Sequence, residues 1–418
     1  MLIVFFLFAY FATVNSSQTD LDTSDLPPTI PSTKYLVWPP VKQIMAAGNL
    51  VLLNPQSFSI NFDTQSHPRA IESKRLLNAI ERFTTRLQHK SGKGLNQISK
   101  NISNSTTILT GITLYIKTDT FKLSDTTDYS YTLLIDDGKI AKATAVSIYG
   151  AIYALESLSQ LIKPSTIEGM VSVLYESISI TDSPNFNWRG LMLDAGRRFF
   201  PMSSILNTLD VMLAAKLNVL HLHASDECRF GVESKLYPNL TNALTGVLGG
   251  FYTQVDIKVM IEEAGSRGIR IIPEFDIPGH SRGFRPIKSE GVIFCDPGNT
   301  QSQLYGDPAN STLSVLQSVL GEMAELFDDD VFHIGADETG VVGPCTTEST
   351  FELERHVLNF LEGPNINKTA AGWEELLFDG EFWFHYFLFP NFVFIPLTLF
   401  FFFLLLLRHH HCHLHSSL

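Results

Sequence analysis

The sequence predicts an α/β protein: a (β/α)8 barrel of the TIM type, incomplete within the chain, preceded by a small α+β domain. Two observations predict the barrel. From Asn187 onward, short runs rich in Val, Ile and Leu alternate with stretches of helical apolar spacing, which implies parallel strands joined by crossovers. Polar residues also crowd just after each run: Asp194 and Arg197, Asp226, Glu274 with Asp276 and His280, Asp337 with Glu338, and Trp373 with Glu374. A barrel of this type carries its active site at the C-terminal strand ends, so the repetition points to an enzyme. Solvated loops would leave the same pattern without a site, and that reading also stands.

The elements follow in order. Ile71–Leu87 carries Ile71, Leu76, Leu77, Ile80, Phe83 and Leu87 at helical spacing, whereas Ile108–Ile116 and Tyr131–Ile135 are β-rich. Ala145–Ile162 places Ile148, Ile152, Leu155 and Leu158 on one side of a second helix that Pro164 ends. These form the α+β domain, residues 35–165. In the barrel, residues 186–379, the strands are Arg189–Asp194, Val219–His223, Ile269–Pro273, Val331–Ile334 and Thr369–Trp373. Ser203–Lys216, Val255–Arg267, Leu313–Phe327 and Phe351–Leu361 are the helices between them. Five strands leave eight-stranded closure unaccounted for.

A chain of 418 residues, 44% hydrophobic, has material for two or three domains. Its 43 acidic against 30 basic residues, a net charge of −13, disfavour nucleic acid or an anionic membrane as partner, since no Lys/Arg cluster is present. The apolar block at 2–14, with Val14 and Ser16 at the −3 and −1 places, reads as a signal peptide over 1–16; a membrane-anchoring helix is the alternative. A Ser/Thr/Asp/Pro-rich linker, 17–34, follows. Glycosylation sequons at Asn101, Asn104, Asn239, Asn310 and Asn367 agree with export. Of the cysteines, Cys295 and Cys345 are the best candidate disulfide, each lying just beyond a strand-end motif; two buried free thiols are the alternative. The tail, residues 380–418, is almost wholly apolar over 382–407 and then His-rich. This composition suits an aberrant translated tail, and its length also suits a transmembrane anchor, so a membrane partner is expected only if the tail is genuine.

His333-Ile-Gly-Ala-Asp337-Glu338 stands at a strand end with two adjacent carboxylates, whose repulsion leaves one holding its proton longer. A glycosidase needs such an acid for the leaving oxygen, although an Asp-Glu pair alone is more often a solvated turn. His221, His223, Glu274 and Asp276 match no zinc signature, and neither metal nor cofactor is expected.

Five runs occur together: Asn187-Trp-Arg-Gly-Leu-Met-Leu-Asp-Ala-Gly-Arg-Arg, Asn218-Val-Leu-His-Leu-His-Ala-Ser-Asp226, Pro273-Glu-Phe-Asp-Ile-Pro-Gly-His280, His333 to Glu338, and Gly372-Trp-Glu-Glu. In order and spacing they resemble glycoside hydrolase family 20, the β-N-acetylhexosaminidases, from about Tyr35 to Asp379. The resemblance implies removal of terminal non-reducing N-acetylglucosamine or N-acetylgalactosamine from glycoconjugates or chitooligosaccharides, with retention and with the substrate's own acetamido group as nucleophile. It implies Glu338 as general acid/base and Asp337 as the group that orients the acetamido. It further implies Arg189 on sugar hydroxyls, Asp226 and His280 lining the pocket, and Trp373 walling the acetamido methyl. Compartments consistent with it are the secretory pathway, then the exterior or a lysosome or vacuole; a homodimer is left open. The family's later strands, with their tryptophans, a tyrosine and an acidic residue, are not recognisable after Asp379, so a truncated or mis-spliced chain is expected. A catalytically silent sugar-binding or membrane-tethered homologue is the alternative. Asp226-Glu-Cys-Arg-Phe departs from the family's usual Asp-Asp-Gln, which leaves the preference beyond the terminal sugar open.

Overall fold

The computed structural model describes residues 36–91, 107–242, 244, 249–296, 298, 302–378 and 393–395. The expected signal peptide and linker, the sequons at Asn101 and Asn104, and all of the tail but 393–395 lie outside the described residues. The chain divides into two compact units, one ending at Arg189 and including Leu213–Lys216, the other made of Gly190–Met212 and the chain from Leu217.

In the first unit the strands are β1 (Gln43–Ala47), β2 (Val51–Leu53), β3 (Ser59–Phe62), β4 (Gly111–Ile116), β5 (Tyr131–Ile135), β6 (Ile140–Ala145), β7 (Ile162–Pro164), β8 (Val171–Val173) and β9 (Ser177–Asp182). Six form a mixed sheet in the order β1-β9-β5-β6-β4-β3, and β2-β8-β7 form a smaller one. On β5, Tyr131, Leu133 and Ile135 point inward while Thr132 and Leu134 are exposed, the alternation of a half-buried strand. The helix Lys74–Ser91 buries Leu76, Ala79, Phe83 and Leu87, a single stripe at helical period. Leu77 lies off that stripe, and Ile71 belongs to a separate short helix, Pro68–Ile71, so the predicted helix begins three residues late. Helix Ile148–Leu161 is capped by the Ser147 hydroxyl, which accepts from Tyr149 and Gly150 N–H, and it is buried nearly all round.

The second unit is a parallel α/β sheet. Its strands are β10 (Gly190–Asp194), β11 (Val219–Asp226), β12 (Arg229–Phe230), β13 (Arg270–Ile277), β14 (Val331–Gly335), β15 (Thr369–Trp373) and β16 (Val393–Ile395). The order is β10-β11-β13-β14-β15-β16, all parallel, with β12 folded back antiparallel on β11. The five predicted strands are present, and a sixth parallel strand, β16, comes from within the predicted tail. Every residue of β11, β13 and β14 is buried, as in parallel strands covered on both faces. Helices Met202–Ala214, Gln254–Gly265, Ser311–Leu326 and Thr347–Glu362 make the crossovers. Thr253 with Asp256 and Thr346 with Ser349 close capping boxes at two of them.

β11 and β13 run three and four residues beyond the predicted ends, so Asp226, Glu274 and Asp276 lie within strands rather than in the loops after them. A strand can continue through charged residues when those residues satisfy one another. Among the described residues no helix is long and apolar enough to cross a membrane.

Candidate active site

The strand register builds a polar row across the sheet. Asp194 is aligned with His223, His223 with Glu274, Glu274 with His333, and His333 with Ala371. Register-matched residues of parallel neighbours share a face, so four polar side chains from adjacent strands meet.

Glu274 is the centre of the row and is fully buried. Its Oε1 accepts the Trp373 indole N–H at 2.9 Å, while its Oε2 lies 2.7 Å from His221 Nε2 and 2.9 Å from His223 Nδ1. The two histidine contacts are close but off the hydrogen-bond line. Burial alone would raise the Glu274 pKa, but the surrounding histidines, His223 foremost, outweigh it and hold the carboxyl well below its ordinary range. His223 is the reciprocal case. Burial presses its pKa down, yet the Glu274 charge and the 2.8 Å bond to Asp226 Oδ2 lift it well above the ordinary histidine value. For His333 burial wins and brings the pKa down to about 3, so the ring is neutral; its Nδ1 accepts the Gly335 N–H at 3.0 Å.

Asp226 Oδ2 also lies 2.8 Å from Arg197 Nη2, and the Asp226 side chain has no solvent exposure. Burial pushes this carboxyl up, but His223 and Arg197 hold it below its ordinary value. Arg197 is fixed from its other side by Asp194, through Nη1 at 3.0 Å and its backbone N–H at 2.9 Å.

Past the strand ends, His280 joins three carboxylates. Its Nδ1 meets Asp276 Oδ2 at 2.9 Å and lies 3.7 Å from Asp337 Oδ1, while its Nε2 is 3.3 Å from Glu338 Oε2. Burial lowers the His280 pKa, but the hydrogen bond to Asp276 and the nearby Asp337 carboxylate override this and push it up to about 11. Burial and the Asp337 charge push Asp276 well above the usual carboxylate range. Burial, followed by the charges of Asp337, Glu374 and Glu338, also raises Glu375. The turn carrying Asp337 and Glu338 winds left-handed, with φ of 72° at Gly335, 67° at Ala336 and 52° at Glu338. Asp337 Oδ1 is buried without a hydrogen-bond partner among the described residues, whereas the Glu338 side chain is 59% exposed. Chemically, this is an inner carboxylate able to receive a donor, an outer one able to exchange protons with a ligand, and a cation between them.

Asp337, Glu338, His280, Asp226 and Trp373 are therefore brought to one end of the sheet. Asp226 stands behind Arg197 and does not itself line an open surface. Trp373 is buried, with its ring 4.9 Å from that of His333 and 5.7 Å from that of His221, so it forms part of the floor. Arg189 is not in this set. It precedes the first residue of β10, and its guanidinium donates to Lys216 O, Phe186 O and the Tyr153 hydroxyl and lies over the Tyr129 ring. The arginine at the C-terminal end of the same strand is Arg197, a place that the strand-end rule alone singles out. The His221–His223–Glu274–His333 network was visible only as isolated polar residues in apolar runs. The cysteine pairing is as expected, with a Cys295–Cys345 disulfide and Cα atoms 5.4 Å apart.

Among the described residues, three triads bring possible metal-ligand atoms within 4.8 Å: His221-Glu274-His333, His223-Glu274-Asp276 and Asp226-Asp276-His280. In the first of these His333 Nδ1 accepts the Gly335 N–H, and in the third the Arg197 guanidinium already pairs with Asp226.

Comparison with known proteins agrees with this geometry. The family model described as glycosyl hydrolase family 20, catalytic domain, matches residues 186–378, and one described as beta-acetyl hexosaminidase like matches residues 37–161. The chain is 33% identical to beta-hexosaminidase subunit A2 of Dictyostelium discoideum, over 68% of this chain and 54% of that protein. It is 36% identical to the mouse beta-hexosaminidase subunit beta, over 55% and 43%. Among solved structures, the exo-β-N-acetylglucosaminidase of Vibrio harveyi in complex with N-acetylglucosamine superposes with a TM-score of 0.63 at 26% identity, covering 84% of this chain and 56% of that one. The chain thus spans about half the length of the curated relatives it matches.

Proposed function

Since the chain belongs to glycosyl hydrolase family 20, we propose that it is an exo-β-N-acetylhexosaminidase releasing terminal non-reducing N-acetylglucosamine or N-acetylgalactosamine with retention of configuration. The observation that carries this reading is the unpartnered Asp337 Oδ1 beside the exposed Glu338. An acetamido N–H of the bound sugar would supply the missing donor. Held by Asp337, the acetamido carbonyl oxygen attacks the anomeric carbon as the glycosidic bond breaks, and Glu338 gives its proton to the departing oxygen. The resulting oxazolinium ion is cationic, and the Asp337 charge stabilises it. Water then adds at the anomeric carbon, Glu338 takes its proton, and the acetamido group is restored.

The surrounding residues have roles in this scheme. Cationic His280 offsets the repulsion between Asp337 and Glu338, so that both acids can work side by side. Arg197, rather than Arg189, takes the sugar hydroxyls, with Asp194 and Asp226 fixing its fork. The Cys295–Cys345 disulfide and the exposed sequon residues Asn239, Asn310 and Asn367 support an oxidising, secretory-route destination, outside the cell or in a lysosome or vacuole.

Rates on 4-nitrophenyl N-acetyl-β-glucosaminide and on 4-nitrophenyl β-glucoside test the scheme. Preference for the N-acetylated sugar by about a thousandfold or more in kcat/KM is expected, because the second substrate lacks the nucleophile. Comparable rates on the two would overturn it.

A further inference from the structure

The loop after the carboxylate pair is anchored at its base and apolar at its tip. Thr339 Cγ2 comes within 3.5 Å of where a β-carbon on Gly279 would lie, and Gly340 N–H donates to Gln303 Oε1 at 2.9 Å. Cys345 N–H closes onto Val342 O at 3.0 Å. At Gly343, φ is 57° and a β-carbon would stand 2.2 Å from Cys295 O, so this backbone lies directly on the neighbouring segment to which the disulfide ties it. Between these anchors, Val341 is 72% exposed and Val342 43% exposed.

A single exposed valine is ordinary. Two adjacent ones on a backbone held at both ends are a preformed apolar surface, which can meet a ligand without first being ordered. Residues 339–345, Thr-Gly-Val-Val-Gly-Pro-Cys, carry no charge in a chain of net charge −13. Val341 is three residues from Glu338, so its Cα is at most about 11 Å from that of the exposed carboxylate. In the reaction above, Glu338 faces the departing oxygen, and the leaving group must lie on its side of the sugar.

We propose that Val341 and Val342 are specificity-determining residues that contact the leaving group, favouring aglycones with an uncharged apolar or aromatic face over charged ones. The proposal rests on the hexosaminidase reading. Contact with two valine side chains removes on the order of 40 Å² of apolar surface from water, which corresponds to roughly fivefold in affinity.

Calorimetry on the full chain, using a thioglycoside that resists cleavage, tests the proposal. Phenyl 1-thio-N-acetyl-β-glucosaminide is expected to bind about fivefold more tightly than free N-acetylglucosamine, and its 4-carboxyphenyl analogue to lose that gain. In the Val341→Ser/Val342→Ser variant the phenyl gain disappears while N-acetylglucosamine binds as before. A phenyl gain retained in the variant, or absent from the wild type, overturns the proposal. Failure of the wild type to bind either N-acetylated ligand sinks the sugar-site reading itself, and the proposal with it.

Discussion

Gly335 and Asp276 approach so closely that a β-carbon on Gly335 would stand 1.9 Å from Asp276 Oδ1. Gly335 also has φ of 72°, where an L side chain is strained even in open space. Gly335→Ala combines that strain with forced movement of Asp276, and destabilisation of about 2–4 kcal/mol is expected in a urea titration. Because Asp276 holds His280, kcat/KM should fall by about tenfold or more in the remaining folded protein. Gly169→Ala is the control. Its φ is 74°, nothing lies within 4 Å of the added carbon, and a loss of only about 1 kcal/mol is expected.

Glu338→Gln removes the transferable proton and leaves the shape. The fall in kcat is expected to be about 10²–10⁴-fold, and larger for a methyl glycoside than for a nitrophenyl one, whose leaving group needs less protonation. Asp337→Asn should lower kcat for both substrates alike, since charge on the oxazolinium is lost whatever departs. Equal sensitivity of Glu338→Gln to the two leaving groups would remove the acid from position 338.

His280 gives a pH signature. Burial lowers its pKa and its carboxylate partners raise it more, to about 11, well above its unfolded value. A raised pKa means that its contribution to stability is complete below about pH 6.5 and fades as pH climbs toward 11. His280→Asn should therefore be less stable than the wild type at pH 6, with the difference narrowing by pH 10. Unfolding midpoints at the two pH values measure it, and a constant difference would exclude the linkage.

Two arginines flank one strand and should respond differently to the same substitution. Arg197→Lys loses the fork shared between Asp194 and Asp226, and kcat/KM is expected to drop about 10–100-fold with little change in melting temperature. Arg189→Lys removes up to three donated bonds and leaves Phe186 O without its Arg189 donor, costing about 1–3 kcal/mol of stability while kinetics stay within a few fold. The reverse pattern would return sugar binding to Arg189.

That contrast marks where the sequence was readable. The parallel strands stood out because burial on both faces makes them unbroken apolar runs, and the alternating helices fixed their direction. Short strands of the first unit did not. β1, Gln-Ile-Met-Ala-Ala, is only partly buried, and β6, Ile-Ala-Lys-Ala-Thr-Ala, buries only alanines, so neither leaves a strong hydrophobic signature. Asp337, Glu338 and His280 were legible from their motifs. The partners of Glu274 were not, because cross-strand alignment of His223 and His333 depends on register, which spacing along one strand does not reveal.

The Cys295–Cys345 bridge closes a segment of 50 residues that contains the whole turn bearing Asp337 and Glu338. Chain-entropy arguments assign a cross-link of this span about 4 kcal/mol, through the unfolded ensemble. The Cys295→Ala/Cys345→Ala variant should accordingly lose about 2–4 kcal/mol in a urea titration. Because the loop from Thr339 to Cys345 keeps its bond to Gln303 and its internal turn from Cys345 N–H to Val342 O, the folded variant should retain most of its kcat. If instead activity vanished while stability barely changed, the bridge would be acting on the catalytic turn itself and not on the unfolded chain.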